Sequence, residues 1–152
     1  MTDARDPVRL SLRLIATSRL IEREIDSLMR ARFGASIARF DFLSALDRHG
    51  ALTLGEVSQH LLVSNGNVTQ LRTRLSEDGL IGTEADENDR RIQRVRLTPR
   101  GQGVFNKMAK AHAACVDRLL GGVSQADKQT LARLLDGAKT SIRRTLELEV
   151  TP

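Results

Sequence analysis

The 152-residue sequence predicts a mainly α fold carrying one small β-hairpin. Three observations point there. Apolar residues recur at helical spacing over most of the chain. Two short helical segments near the middle are separated by only Leu62 and Val63, and the spacing switches to alternation once, after Gly79. Aromatic residues make up 3% of the chain, all of them phenylalanine, so the core must be built from Leu, Ile, Val and Ala.

From Pro7 to Arg32, Val8, Leu12, Ile15, Ile21, Ile25 and Leu28 form the stripe of one long amphipathic helix. Gly34 supplies a left-handed cap at its end. A second helix, about Ile37 to Arg48, turns Phe40, Leu43 and Leu46 inward and stops at His49-Gly50. Thr53 stands as N-cap of a short helix, Leu54 to Leu61, with Glu56 three residues on as in a capping box. Ser64 caps the next helix, which runs to Asp78 and ends at Gly79. Two short helices so tightly joined make a helix-turn-helix. Leu80 to Thr83 then reads as a strand, and Ala85 to Asp89 as a polar turn. Val95 and Leu97 alternate with Arg94 and Arg96 in the returning strand, which gives a wing with a charged tip. Thr98-Pro99 restarts helix, threonine as N-cap and proline at the first helical position, and the helix runs to about Leu120. Ser124 caps a last helix with the stripe Leu131, Leu134, Leu135, Ala138 and Ile142. The order is that of a winged helix-turn-helix with further helices at both ends.

Composition narrows the function. The net charge of +5 permits a polyanionic partner. Residues 51–97, however, carry 6 basic and 7 acidic side chains, so the placing of individual arginines decides the matter. Cys115 is the sole cysteine, which excludes an internal disulfide framework and suits a reducing cytoplasm. The polar N-terminus does not resemble a signal peptide, and no segment approaches the ~18 apolar residues of a membrane span. His49, His60 and His112 lack the spacing of zinc ligands, and there is no nucleophile–base pair or phosphate loop. Neither an enzyme nor a metal or other cofactor is expected.

The helix from Ser64 to Asp78 carries the functional reading. Val68, Leu71 and Leu75 share one side, and at about 100° per residue the other side presents Gly66, Thr69, Gln70, Thr73 and Glu77. Asn65 and Arg72 lie on one flank, Asn67 and Arg74 on the other. Such a face suits the major groove of double-stranded DNA. Gln70 can bond adenine in two places, and a threonine methyl can meet that of thymine. Ser64, Asn65 and Asn67 can bind phosphate beside the positive helix end, where Gly66 allows close approach.

With these residues in view, Leu54–Gly101 resembles the core of the MarR family of bacterial regulators. The segment VSNGNVTQLRTRL, the EDGLI after it, and Asp89-x-Arg91 followed by Leu97-Thr98 carry the likeness. The flanking helices match the family plan too. The resemblance implies a ligand-responsive repressor acting as a homodimer on a pseudo-palindromic operator. Residues 1–35 and 98–152 would form the dimerisation region, and 36–97 the DNA-binding lobe. It implies a wing in which Arg90 or Arg91 enters the minor groove, with Asp89 holding an arginine in place. Thr83 and Gln70 depart from the family, standing where arginine is frequent. The pieces SNGNVT and MAKAHAAC are similar to regulators of aromatic-acid or aromatic acyl-CoA catabolism. A small aromatic or anionic effector, an acyl-CoA among the options, would then pair with Arg19, Arg23, Arg39 and His112. Two rival readings stand beside this one: a redox sensor acting through Cys115, and a winged-helix module that binds protein.

Overall fold

The computed structural model describes residues 5–61 and 65–150, which form six helices and one hairpin: α1 (Arg5–Phe33), α2 (Ile37–His49), α3 (Leu54–Leu61), α4 (Asn65–Glu77), β1 (Ile81–Ala85), β2 (Gln93–Leu97), α5 (Pro99–Leu119) and α6 (Gln125–Val150). This is the predicted winged helix-turn-helix. The Leu62–Val63 turn and the Ser64 cap lie outside the described residues.

Local chemistry sets the helix ends. Gly34 adopts a φ of 59° and Gly50 one of 77°, conformations that disfavour a side chain and end α1 and α2. Thr53 and Glu56 form the expected capping box: the Glu56 N–H donates to Thr53 Oγ1 at 3.1 Å, and the Thr53 N–H to Glu56 Oε2 at 2.8 Å. Thr98 caps α5 through the Gly101 N–H at 2.9 Å, and Ser124 caps α6 through the Asp127 N–H at 3.1 Å. Ser36 caps α2 through the Arg39 N–H at 3.3 Å, and Asp26 of α1, with no local signal for it, accepts the Ile37 N–H at 2.8 Å from another helix. Its bond to Arg30 and this backbone bond hold the Asp26 carboxyl below its ordinary range.

The hairpin is antiparallel, with Ile81 opposite Leu97 and Ala85 opposite Gln93. Strand β1 runs two residues past the expected end, because the turn begins at Asp86. That carboxylate accepts the N–H groups of Asn88 at 2.9 Å and Asp89 at 3.1 Å. Leu52 adds a third rung, exchanging backbone bonds with Val95 at 3.0 and 2.8 Å. A single rung has no periodicity, so its sequence is silent.

The chain divides into two compact units, residues 1–116 and 117–152. In the first, Met29 from α1, Phe42 and Leu43 from α2, Val57 from α3, Val68 and Leu75 from α4, Val95 from β2 and Met108 from α5 form one core. The expected inward residues Phe40, Leu43 and Leu46 all belong to it. The stripe of α1 behaves differently in its two halves. Ile25 is buried, whereas Val8, Leu12 and Ile15 are exposed. In the second unit α6 shows Leu131, Leu134, Leu135 and Ile142 exposed as well.

Candidate nucleic-acid interface

Burial of Val68 and Leu75 fixes how α4 is turned about its axis. Asn67, Thr69, Gln70, Thr73, Arg74 and Glu77 are then exposed. Gln70 makes no side-chain hydrogen bond among the described residues, so its amide is available to a partner. The Thr73 hydroxyl donates to the Thr69 carbonyl at 3.1 Å, which leaves its methyl as the group it can offer. Ser64 lies outside the described residues, as do the side chains of Asn65 and Gly66.

Arg72 corrects the flank assignment. It follows Val68 by four residues and precedes Leu75 by three, beside the buried stripe, and is half-buried rather than free. Its Nη2 donates to Thr83 Oγ1 at 3.3 Å, bracing β1 against α4. Its Nε is buried and meets no acceptor among the described residues. Thr83, where arginine is frequent in the family, is the partner that makes this brace.

At the wing tip Arg90 and Arg91 are exposed and enter no ion pair among the described residues. The role expected of Asp89 falls to Asp86. Asp89 Oδ1 accepts the backbone N–H of Arg91 at 3.0 Å, shaping the turn. Asp86 grips a guanidinium, that of Arg94. Arg94 also reaches Glu56 at 3.0 Å and the Ala51 carbonyl at 3.4 Å. Arg94 was expected only on the strand face opposite Val95 and Leu97. It is half-buried and joins the wing to the capping box of α3. These bonds pull the carboxyls of Asp86 and Glu56 below their ordinary range: for Asp86 the Arg94 bond leads, and for Glu56 the Thr53 N–H does. No local pattern announces a contact between residues this far apart in the chain.

The expected effector residues do not converge. Arg23 lies 3.8 Å from Glu24, and Arg39 pairs with Asp78 at the end of α4. His112 stacks on Phe40 with centroids 4.8 Å apart, and burial lowers its pKa. Arg19 is exposed on α1. Cys115 is buried in α5. A cavity of about 400 Å³ opens elsewhere, between α1, α2, α3 and α4. Ile37, Ala38, Leu61 and Leu71 give it apolar walls, and Glu22 and Asp41 line it with carboxylates. Asn67, Gln70 and Arg74 reach it from α4. None of the four expected residues lines it. Among the described residues no helix is long and apolar enough to cross a membrane, and no group of three or more His, Cys, Asp or Glu is placed to hold a metal ion.

Against this geometry stand the comparisons with known proteins. A family profile described as "MarR family" matches residues 33–92. The HTH-type transcriptional repressor IacR of Pseudomonas putida is 28% identical over 100 residues, 66% of this chain and 60% of that protein. The matched region thus spans about three-fifths of that repressor's length. The HTH-type transcriptional regulator YkoM of Bacillus subtilis is 30% identical over 105 residues, 69% of this chain and 68% of the relative. Bordetella bronchiseptica BpsR, whose structure concerns regulation of its DNA binding by 6-hydroxynicotinic acid, shares the fold with a TM-score of 0.74. It is 22% identical, over 91% of this chain and 97% of that one. The chain belongs to the MarR family of winged-helix transcriptional regulators.

Proposed function

We propose that this protein is an effector-responsive repressor that binds a pseudo-palindromic operator as a homodimer. One observation carries the reading: the core holds α4 so that a polar face led by Gln70 and Thr73 is outward, while the wing tip offers two unpaired arginines. A helix with such a face reads base edges in the major groove, and arginines of a wing suit the narrow minor groove. The mixed charge of the lobe is no obstacle, because Asp86, Glu56, Asp78 and Glu84 pair with Arg94, Arg39 and Arg96, and no carboxylate among the described residues pairs with the wing-tip Arg90 or Arg91. The repressor named among the relatives supports the sign of regulation. The aromatic regulator of BpsR supports a small aromatic effector. We place that effector in the cavity behind α4, where it touches side chains that also face DNA. The protein would act in the cytoplasm, on double-stranded DNA, without catalysis.

Selection of preferred sites from random duplexes tests the reading. Gln70→Ala is expected to lose about 1–3 kcal/mol at one base pair of each half-site and relax the choice there. Asn67→Ala should weaken all sites by a similar factor, since phosphate contacts carry no sequence information. An unchanged preferred site with Gln70→Ala would show that another surface reads the DNA.

A further inference from the structure

The cavity behind α4 has an electrostatic problem that an occupant would solve. Asp41 is half-buried, and burial disfavours its charge. Glu22 lines the same space and adds a second negative charge that acts on Asp41. Neither carboxylate has a hydrogen bond or ion pair among the described residues. Arg74 lines the cavity but stands beyond ion-pair distance of both. Arg48 lines a second cavity that Asp41 also lines and forms no ion pair with it among the described residues.

Two carboxylates against the single guanidinium of Arg74, around a space with apolar walls, favour a positive guest. We infer that the effector site takes a small organic cation, a protonated amine on a compact apolar body, with its ammonium group between Asp41 and Glu22. An ammonium group supplies three donors to two carboxylates that have none. Ile37, Ala38, Leu61 and Leu71 would cover the apolar body. The volume sits near the small end of the range for ligand pockets, about 300–1,000 Å³, which suits one ring or a short branched chain. An anion in this place would meet one arginine and two carboxylates, and the other arginines once expected to hold it are elsewhere. Because Asn67, Gln70 and Arg74 share the cavity, the amine would also weaken operator binding. The inference rests on the effector reading above and names the chemistry of that site.

Three probes on one phenethyl frame separate the possibilities: phenethylamine, phenethyl alcohol and hydrocinnamate, titrated calorimetrically into the full-length protein at neutral pH. Phenethylamine is expected to bind at least about tenfold more tightly than either of the others, the worth of one charge-assisted contact. Asp41→Asn and Glu22→Gln should each remove that preference while operator binding without ligand stays as in the parent. Tighter binding of hydrocinnamate would overturn the cationic class yet keep the cavity as effector site. Failure of all three at millimolar concentration would overturn both. A gel shift with operator DNA, run in parallel, reports on the DNA-binding reading independently of either result.

Discussion

A β-carbon on Gly101 would stand 1.8 Å from the carbonyl oxygen of Leu80 and 2.8 Å from its carbonyl carbon. The contact is with backbone, and that backbone is pinned: the Thr98 N–H donates to Leu80 O at 3.1 Å, and Thr98 Oγ1 to Gly79 O at 2.7 Å. Gly101→Ala is therefore expected to destabilise by about 3 kcal/mol, the overpacking cost exceeding the roughly 1 kcal/mol by which alanine improves a helix. Gly103, two residues on in the same helix, meets nothing within 4 Å, so Gly103→Ala should stabilise by about 0.5–1 kcal/mol. Urea unfolding of the pair measures both signs, and equal effects would refute the account. Asp41 makes a second residue-scale case. Burial and then Glu22 raise its carboxyl pKa, so the folded state binds its proton more tightly than the unfolded chain does. The ionised group costs stability that is absent in acid and appears as pH rises through the raised pKa. Asp41→Asn should thus raise the melting temperature at pH 7, with the gain shrinking toward zero below the ordinary carboxylate range. Asp26 and Glu56, whose pKa values are lowered, act in the opposite sense: their contribution is full at neutral pH and is lost as pH falls.

Among the elements, the wing shows what one chain of residues can and cannot announce. The Thr53–Glu56 box, the Thr98 and Ser124 caps and the glycines after α1 and α2 were legible, because each is decided within four residues. The buried side of α4 was legible from Val68, Leu71 and Leu75, and with it the outward Gln70 and Thr73. Arg94 was not, since its partners Glu56 and Asp86 become neighbours only once the hairpin folds back on α3. The same reason hid the pairing of Glu22 with Asp41, which come from two helices and line one cavity. We read the wing as a base that orients and a tip that would contact DNA, and on that reading the two should respond differently. Arg90→Ala with Arg91→Ala should weaken operator binding and flatten its dependence on salt, as expected when up to two phosphate neutralisations are lost. Arg94→Ala should weaken binding with the slope nearly kept, since that guanidinium is already neutralised by carboxylates of its own chain. Operator titrations at several salt concentrations would show it. A flattened slope for Arg94→Ala would mean that the residue reaches DNA itself.

At the scale of the whole molecule the unfinished surfaces are those of α1 and α6. Leu12 is 60% exposed and Val8 58%; on α6, Leu134 is 56% exposed and Ile142 59%. Scattered apolar residues on a surface are ordinary, but helical stripes that recur over several turns are the mark of a face awaiting a partner. The family to which the chain belongs makes a second copy the natural occupant. In a two-fold dimer whose two α4 helices enter major grooves on one side of the duplex, the half-site centres would lie about 34 Å apart or a multiple of that distance. Sedimentation equilibrium of the full-length protein at micromolar concentration is expected to give a dimer. Leu134→Glu with Ile142→Glu should give a monomer that keeps its helix content, because both positions are exposed within the chain and their replacement removes no internal contact of the core. That monomer should still bind a single half-site weakly and should lose the advantage of the full operator, which comes from two lobes tethered to one another. A Leu134→Glu/Ile142→Glu variant that remains dimeric with full operator affinity would remove α6 from the interface and leave the exposed stripe of α1 to form it, whereas a monomeric parent protein would overturn the dimer itself.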